Sequence, residues 1–213
     1  MEKRILRLAI LAFLVLGLTV PSLTFAEMKG PAVKPPSSVG LRQALRDLWV
    51  GHIFWVRNVV LTTKFGDKEA AKVAEDQVVQ NAKDIANSIT PFYGKEASDK
   101  LFTLLAGHYG AVKDYMTAAF ASNKDGMKAA SDKINKNAEE IATFLSSANP
   151  NWPKQTLLGA LVAHGGHHMA QIDAIQKNDF ASEAKIWDGM KNHIYTIADV
   201  LADGIVKQFG HKR

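Results

Sequence analysis

Sliding the chain against itself by 56 residues, without a gap, superposes three stretches of sequence, and this internal repeat constrains the fold more than any other feature. Leu45, Leu101 and Leu157 align, as do Trp49, Leu105 and Leu161, Asp76, Asp132 and Asp188, and Ile85, Ile141 and Ile197. The polar coincidences are sharper. His52, His108 and His164 share one position, and Asn81, Asn137 and His193 share another, always 29 residues later.

Within each repeat, apolar residues recur at helical spacing on both sides of a central breaker: Gly66-Asp67, Ser122-Asn123 and Asn178-Asp179. Further breakers fall at Pro91 to Gly94 and Asn149 to Pro153, and no segment alternates as a strand would. The expectation is an all-α, six-helix bundle made of three 56-residue helical hairpins. Its helices should run at roughly 41–64, 68–89, 95–121, 124–146, 154–176 and 180–208, with ends uncertain by about two to four residues.

The N-terminus has a different character. Lys3, Arg4 and Arg7 precede an apolar run from Leu8 to Val20, followed by Pro21 and Thr24-Phe25-Ala26. This reads as a signal peptide over 1–26, cleaved after Ala26, and so as a periplasmic or extracellular protein. The run is too short for a stable membrane span, which needs about 20 residues. Residues 27–38, with Pro31, Pro35, Pro36 and Gly30, read as a Pro-rich linker, and 39–213 as the helical-repeat domain.

Export changes the charge balance. The whole chain has 26 basic and 21 acidic residues, and loss of the leader takes away three and one of these, leaving a net charge of +3. The charges are interleaved along the helices without an aromatic-studded basic stripe, so nucleic acid is not an expected partner. The chain contains no cysteine, which excludes disulfides, thiolate ligands and a Cys nucleophile.

Each hairpin turn lies nearly midway between its histidine and the residue 29 positions on, so antiparallel helices bring the two to the same height. Each also falls on its helix's apolar stripe, as in Leu45, Trp49, His52, Val56, Val59 or Leu101, Leu105, His108, Val112, Tyr115. Six polar side chains therefore share one layer of an apolar core. An unpartnered buried polar group costs about 1–3 kcal/mol, so these must pair with each other, with water or with a metal.

Two readings follow. In one, each imidazole hydrogen-bonds the Asn opposite it, and the layer only sets the register of a metal-free structural or interaction module. In the other, the third repeat carries chemistry. There the Asn is replaced by His193, and His168 follows His164 by one turn, so that two imidazoles share a helix face and a third stands on the next helix. His164, His168 and His193 are then the first candidate ligands of a transition metal ion (Zn, Cu, Ni or Fe), His108 the fourth and His52 the next. If the hairpins close around a central axis, His52, His108 and His164 form an alternative trio.

Such a bundle would serve metal storage, buffering, sensing or redox chemistry. His167 is expected on a flank and His211 in the C-terminal tail. Asp84 and Glu140 are expected to be solvated, and Gly51 and Gly107 to allow close packing. An enzyme acting through the cluster finds no nucleophile motif, phosphate loop or His-Glu-x-x-His here.

His164-x-x-x-His168 followed by His193 resembles half of a hemerythrin-type di-iron bundle. The His-x-x-x-Glu helix of that family has no counterpart here, and Asp199 stands one residue beyond the family's His-to-Asp spacing. Across 27–213, the Gly-His pairs, Asn81-x-x-Asp84, Asn137-x-x-Glu140, Phe92-Tyr93-Gly94 and Ala163-His164-Gly165-Gly166-His167-His168 resemble a group of exported bacterial helical-repeat proteins. That resemblance implies export and a helical repeat, and no particular activity.

Overall fold

The computed structural model describes residues 38–210, so the expected signal peptide, nearly all of the expected linker and His211 lie outside the described residues. Six α-helices follow one another: α1 (Ser38–Lys64), α2 (Lys68–Ser88), α3 (Thr90–Phe120), α4 (Lys124–Ala148), α5 (Lys154–Gln176) and α6 (Phe180–Phe209). Among the described residues there is no strand, and no helix is long and apolar enough to cross a membrane. The all-α, six-helix bundle expected from the periodicity is the fold observed.

The three hairpin turns are built alike. Gly66, Ser122 and Asn178 adopt left-handed backbone, with φ of 77°, 54° and 60°, and each closes its helix with paired backbone hydrogen bonds. In the first turn these run from the Asp67 amide to the Thr62 carbonyl (3.0 Å) and from the Gly66 amide to the Thr63 carbonyl (3.2 Å); the other two turns repeat the pattern. The next residue caps the following helix. Asp67, Asn123 and Asp179 accept from the amides of Ala70, Gly126 and Ser182 at 2.9–3.0 Å. One residue thus ends one helix and begins the next, which holds the two helices antiparallel and sets their relative height.

The connection between α2 and α3 differs from expectation. Pro91 lies at the start of α3, where its missing amide is not needed, so a short helical turn over 90–93 precedes the long helix, which starts after Gly94 as expected. Gly94, with φ 81° and ψ 172°, then kinks the helix.

Each helix packs on its chain neighbours, and α6 returns to α1, so the six helices close into a ring with α5 also touching α1 and α3. The core inside this ring is in two parts. One apolar cluster contains Leu45, Trp49, Ile85, Leu105, Ile141 and Leu161, and the other Val56, Val78, Val112, Tyr115, Ile134 and Ile172. On the helices of the three hairpins, the layer of His and Asn side chains falls between these clusters. Trp152, from the loop between α4 and α5, closes the end of the first cluster; its indole N–H donates to the Val200 carbonyl at 3.1 Å. The ring lies so close to Gly204 that a Cβ there would stand 1.9 Å from the indole nitrogen.

Candidate metal centre

The layer's Asn side chains donate to backbone carbonyls, not to the imidazoles. Asn81 donates from Nδ2 to the Leu48 carbonyl at 2.9 Å, and Asn137 to the Leu104 carbonyl at 3.0 Å. His193 makes the equivalent contact, its Nε2 standing 2.9 Å from the Ala160 carbonyl. The three acceptors are themselves 56 residues apart, and each lies four residues before the layer histidine of its hairpin. A carbonyl already bonded within its helix has a second lone pair, which is what the amide or imidazole N–H uses. Gly51 and Gly107 make room for this approach: a Cβ there would meet the Nδ2 of Asn81 at 3.0 Å and of Asn137 at 3.4 Å.

This contact removes His193 from the cluster expected of it. The carbonyl can only accept, so Nε2 carries the proton and is not a free donor atom for a metal. The other face of the His193 ring stands against His167, with centroids 5.3 Å apart. Both rings are only partly buried.

His164 and His168 meet His52 instead. The Nε2 atoms of His164 and His52 are 3.4 Å apart, and those of His168 and His164 are 3.2 Å apart. All three rings are buried, and one ligand atom from each lies within 4.8 Å of the other two. A tetrahedral ion with bonds of about 2.0–2.1 Å holds its donors about 3.3 Å apart, so the two separations fit ligands around a single ion as well as N–H···N contacts. The cluster has the donors and spacing to hold a metal ion.

His108 stands against the same group. Its ring stacks on His164, with centroids 5.6 Å apart and planes at 20°, and its centroid lies 6.2 Å from that of His168. It is 4 % exposed. It lies beside the Asn137 carboxamide, which interacts with it, but neither of its nitrogens makes a hydrogen bond of good geometry. The four rings converge because α1, α3 and α5 each turn the layer position toward the ring's interior, and because His168 follows His164 on the same face of α5.

Hydrogen bonding among the imidazoles does not satisfy this arrangement. His164 Nε2 faces two other Nε2 atoms with either one proton or one lone pair to offer, so only one contact is served well. The Nδ1 atoms of His164 and His168 and the Oδ1 atoms of Asn81 and Asn137 are also buried without a partner. A metal would take the three Nε2 lone pairs at once, with the proton on each Nδ1.

Burial keeps the four imidazoles neutral. It pushes His52 down to about 3, helped by His108, and His108 down to about 4 against the opposing Asn137 amide. Burial and the neighbouring imidazoles hold His164 and His168 well below the usual range. Near neutral pH, protons therefore do not compete with a metal for the nitrogen lone pairs.

One buried group was not anticipated from the sequence. Glu183, in the first turn of α6, is 2 % exposed. It accepts from Nε and Nη2 of Arg57 at 2.6 and 2.9 Å and from Gln171 at 2.8 Å. The Arg57 guanidinium and the Gln171 amide hold its carboxyl below the ordinary value although burial opposes this. The available signal was Gln171, a polar residue on the α5 stripe one turn after His168. The carboxylates singled out beforehand are peripheral: Asp84 accepts from Gln80 on the exposed surface, and Asp199 is held by Arg46 at 2.6 and 2.8 Å.

No protein-family model matches this chain, and no curated protein or solved structure matches it either.

Proposed function

We propose that the protein is an exported helical bundle that holds one transition metal ion in its core, with His52, His164 and His168 as ligands and His108 as the fourth. The observation that carries this reading is the convergence of three buried Nε2 atoms at 3.2 and 3.4 Å. The unpartnered nitrogens of His108 beside them support it. Because all four rings are buried, the site suits an ion that is retained, as in storage or a redox centre, better than one exchanged quickly as a buffer.

The competing reading, a metal-free module whose polar layer sets helix register, is favoured by the three side-chain-to-carbonyl hydrogen bonds at Leu48, Leu104 and Ala160. These account for Asn81, Asn137 and His193, and leave the four other imidazoles unexplained.

Elemental analysis of untagged protein, with thermal melts before and after chelation, separates the two. A bound ion is expected at one per chain, and a hundredfold excess of free ion over its Kd should add about 2.7 kcal/mol of stability. His164→Ala should abolish both effects. Melting that is indifferent to chelator and to added Zn, Cu, Ni and Fe would leave only the register module standing.

A further inference from the structure

We propose that the centre selects a monovalent d10 ion, Cu(I), over divalent ions. This rests on the metal-binding reading above and deepens it.

Geometry makes the first selection. Nε2 separations of 3.2 and 3.4 Å match trigonal or tetrahedral donors. A square-planar set with bonds of about 2.0–2.1 Å would instead need neighbours about 2.9 Å apart and opposite donors about 4.1 Å apart. Cu(II) and Ni(II), which favour such tetragonal sets, fit less well than Cu(I) or Zn(II), whose filled d shells impose no geometry.

Charge then divides the remaining two. The donors are neutral imidazoles, and no Asp or Glu oxygen joins the group. The titratable neighbours that act on His52, His164 and His168 are other imidazoles, and no carboxylate is among them. The buried carboxylate one layer away, Glu183, is already neutralised by Arg57 in a two-pronged ion pair. A cavity of about 20 Å³ adjoins His52, His108 and His164, walled by Trp49, Ile85, Leu105, Ile141 and Leu161 with the Tyr109 ring among them, room for about one water molecule; the Tyr109 hydroxyl is buried without a partner. Among the described residues no carboxylate joins the group to offset a second positive charge.

The desolvation cost of an ion grows with the square of its charge, so removing a dication from water costs about four times as much as removing a monocation of similar size. Neutral nitrogens in an apolar shell recover the monocation's cost far more completely. A Zn(II) site of this kind would need a carboxylate, which the histidine group lacks, or a water ionised to hydroxide, whose formation releases a proton and makes Zn(II) binding depend on pH.

The test is a pair of competition titrations on the full chain. Cu(I), held reduced under anaerobic conditions, competes against a chromophoric Cu(I) chelator, and Zn(II) competes against a chromophoric Zn(II) chelator. Ag(I) serves as the redox-inert monovalent control. Cu(I) is expected to bind at least about a hundredfold more tightly than Zn(II), with Ag(I) displacing it. His108→Asp brings an anion to the site and should narrow that ratio by at least about tenfold, through tighter Zn(II) binding. If His108→Asp fails to fold, the wild-type ratio decides alone. Zn(II) bound as tightly as Cu(I) would overturn the selectivity and leave the metal site intact. Binding of none of the three ions would overturn both.

Discussion

A buried imidazole is a statement about acid as well as about metal. His52, His108, His164 and His168 all titrate lower in the folded chain than the ordinary value of 6.5. The unfolded chain therefore binds more protons than the folded one below about pH 6.5, and stability falls as pH drops through that value toward about 4. The metal-free protein should hold constant stability from pH 8 to 7 and then lose up to about 1.4 kcal/mol per pH unit for each such histidine. Urea melts at pH 7.5, 6 and 5 read this directly, and midpoints that do not move would mean that the imidazoles are solvated. Asn137 acts at the same scale without titrating. Asn137→Ala removes the donor to the Leu104 carbonyl and should cost about 1–2 kcal/mol, seen as a lower urea midpoint with an unchanged slope. How far single residues were legible in the sequence differs by residue. That His193 would act as Asn81 and Asn137 do was written in their shared repeat position. The His-x-x-x-His spacing suggests a ligand role instead, because spacing along one helix does not reveal which side chain a backbone carbonyl will claim.

At the scale of helices, the sequence was most readable where local chemistry decides. Gly66-Asp67, Ser122-Asn123 and Asn178-Asp179 each place a left-handed residue before a capping side chain, so the hairpin turns follow from those pairs with little help from the rest of the molecule. The start of α3 was less readable, since Pro91 suits both a break and a first helical turn, and only packing chooses. The Arg57–Glu183 pair was not readable at all. Glu183 lies in a first turn, where an acidic residue is expected for the helix dipole, and its burial depends on α6 closing against α1. This pair joins the first helix to the last. Glu183→Ala leaves the Arg57 guanidinium without its partner and should destabilise the bundle by about 3 kcal/mol. Global unfolding by denaturant gives the number, and a loss below about 1 kcal/mol would show that solvent replaces the pair.

At the scale of the whole molecule, ring closure decides what the histidine layer becomes. The repeat and the turn positions put all the layer residues at one height, which was legible from spacing alone. Which of them meet depends on closure: the trio His52, His108 and His164 expected of a closed arrangement is brought together, whereas that His168 joins it in place of His193 was not legible. Closure brings His52 from the first hairpin to His164 and His168 of the third and stacks His108 of the second beside them. If the proposed ion is bound, it joins the first hairpin to the third through His52, His164 and His168, and its removal should loosen the docking of those two hairpins. The most direct measurement is the X-ray absorption spectrum of the metal-loaded protein, which counts the imidazoles around the ion. A first shell of three or four nitrogens at about 2.0 Å with imidazole scattering, reduced by one in His52→Ala, is the predicted result. An oxygen-dominated shell, or a spectrum unchanged by His52→Ala, would contradict a centre built from His52, His164 and His168.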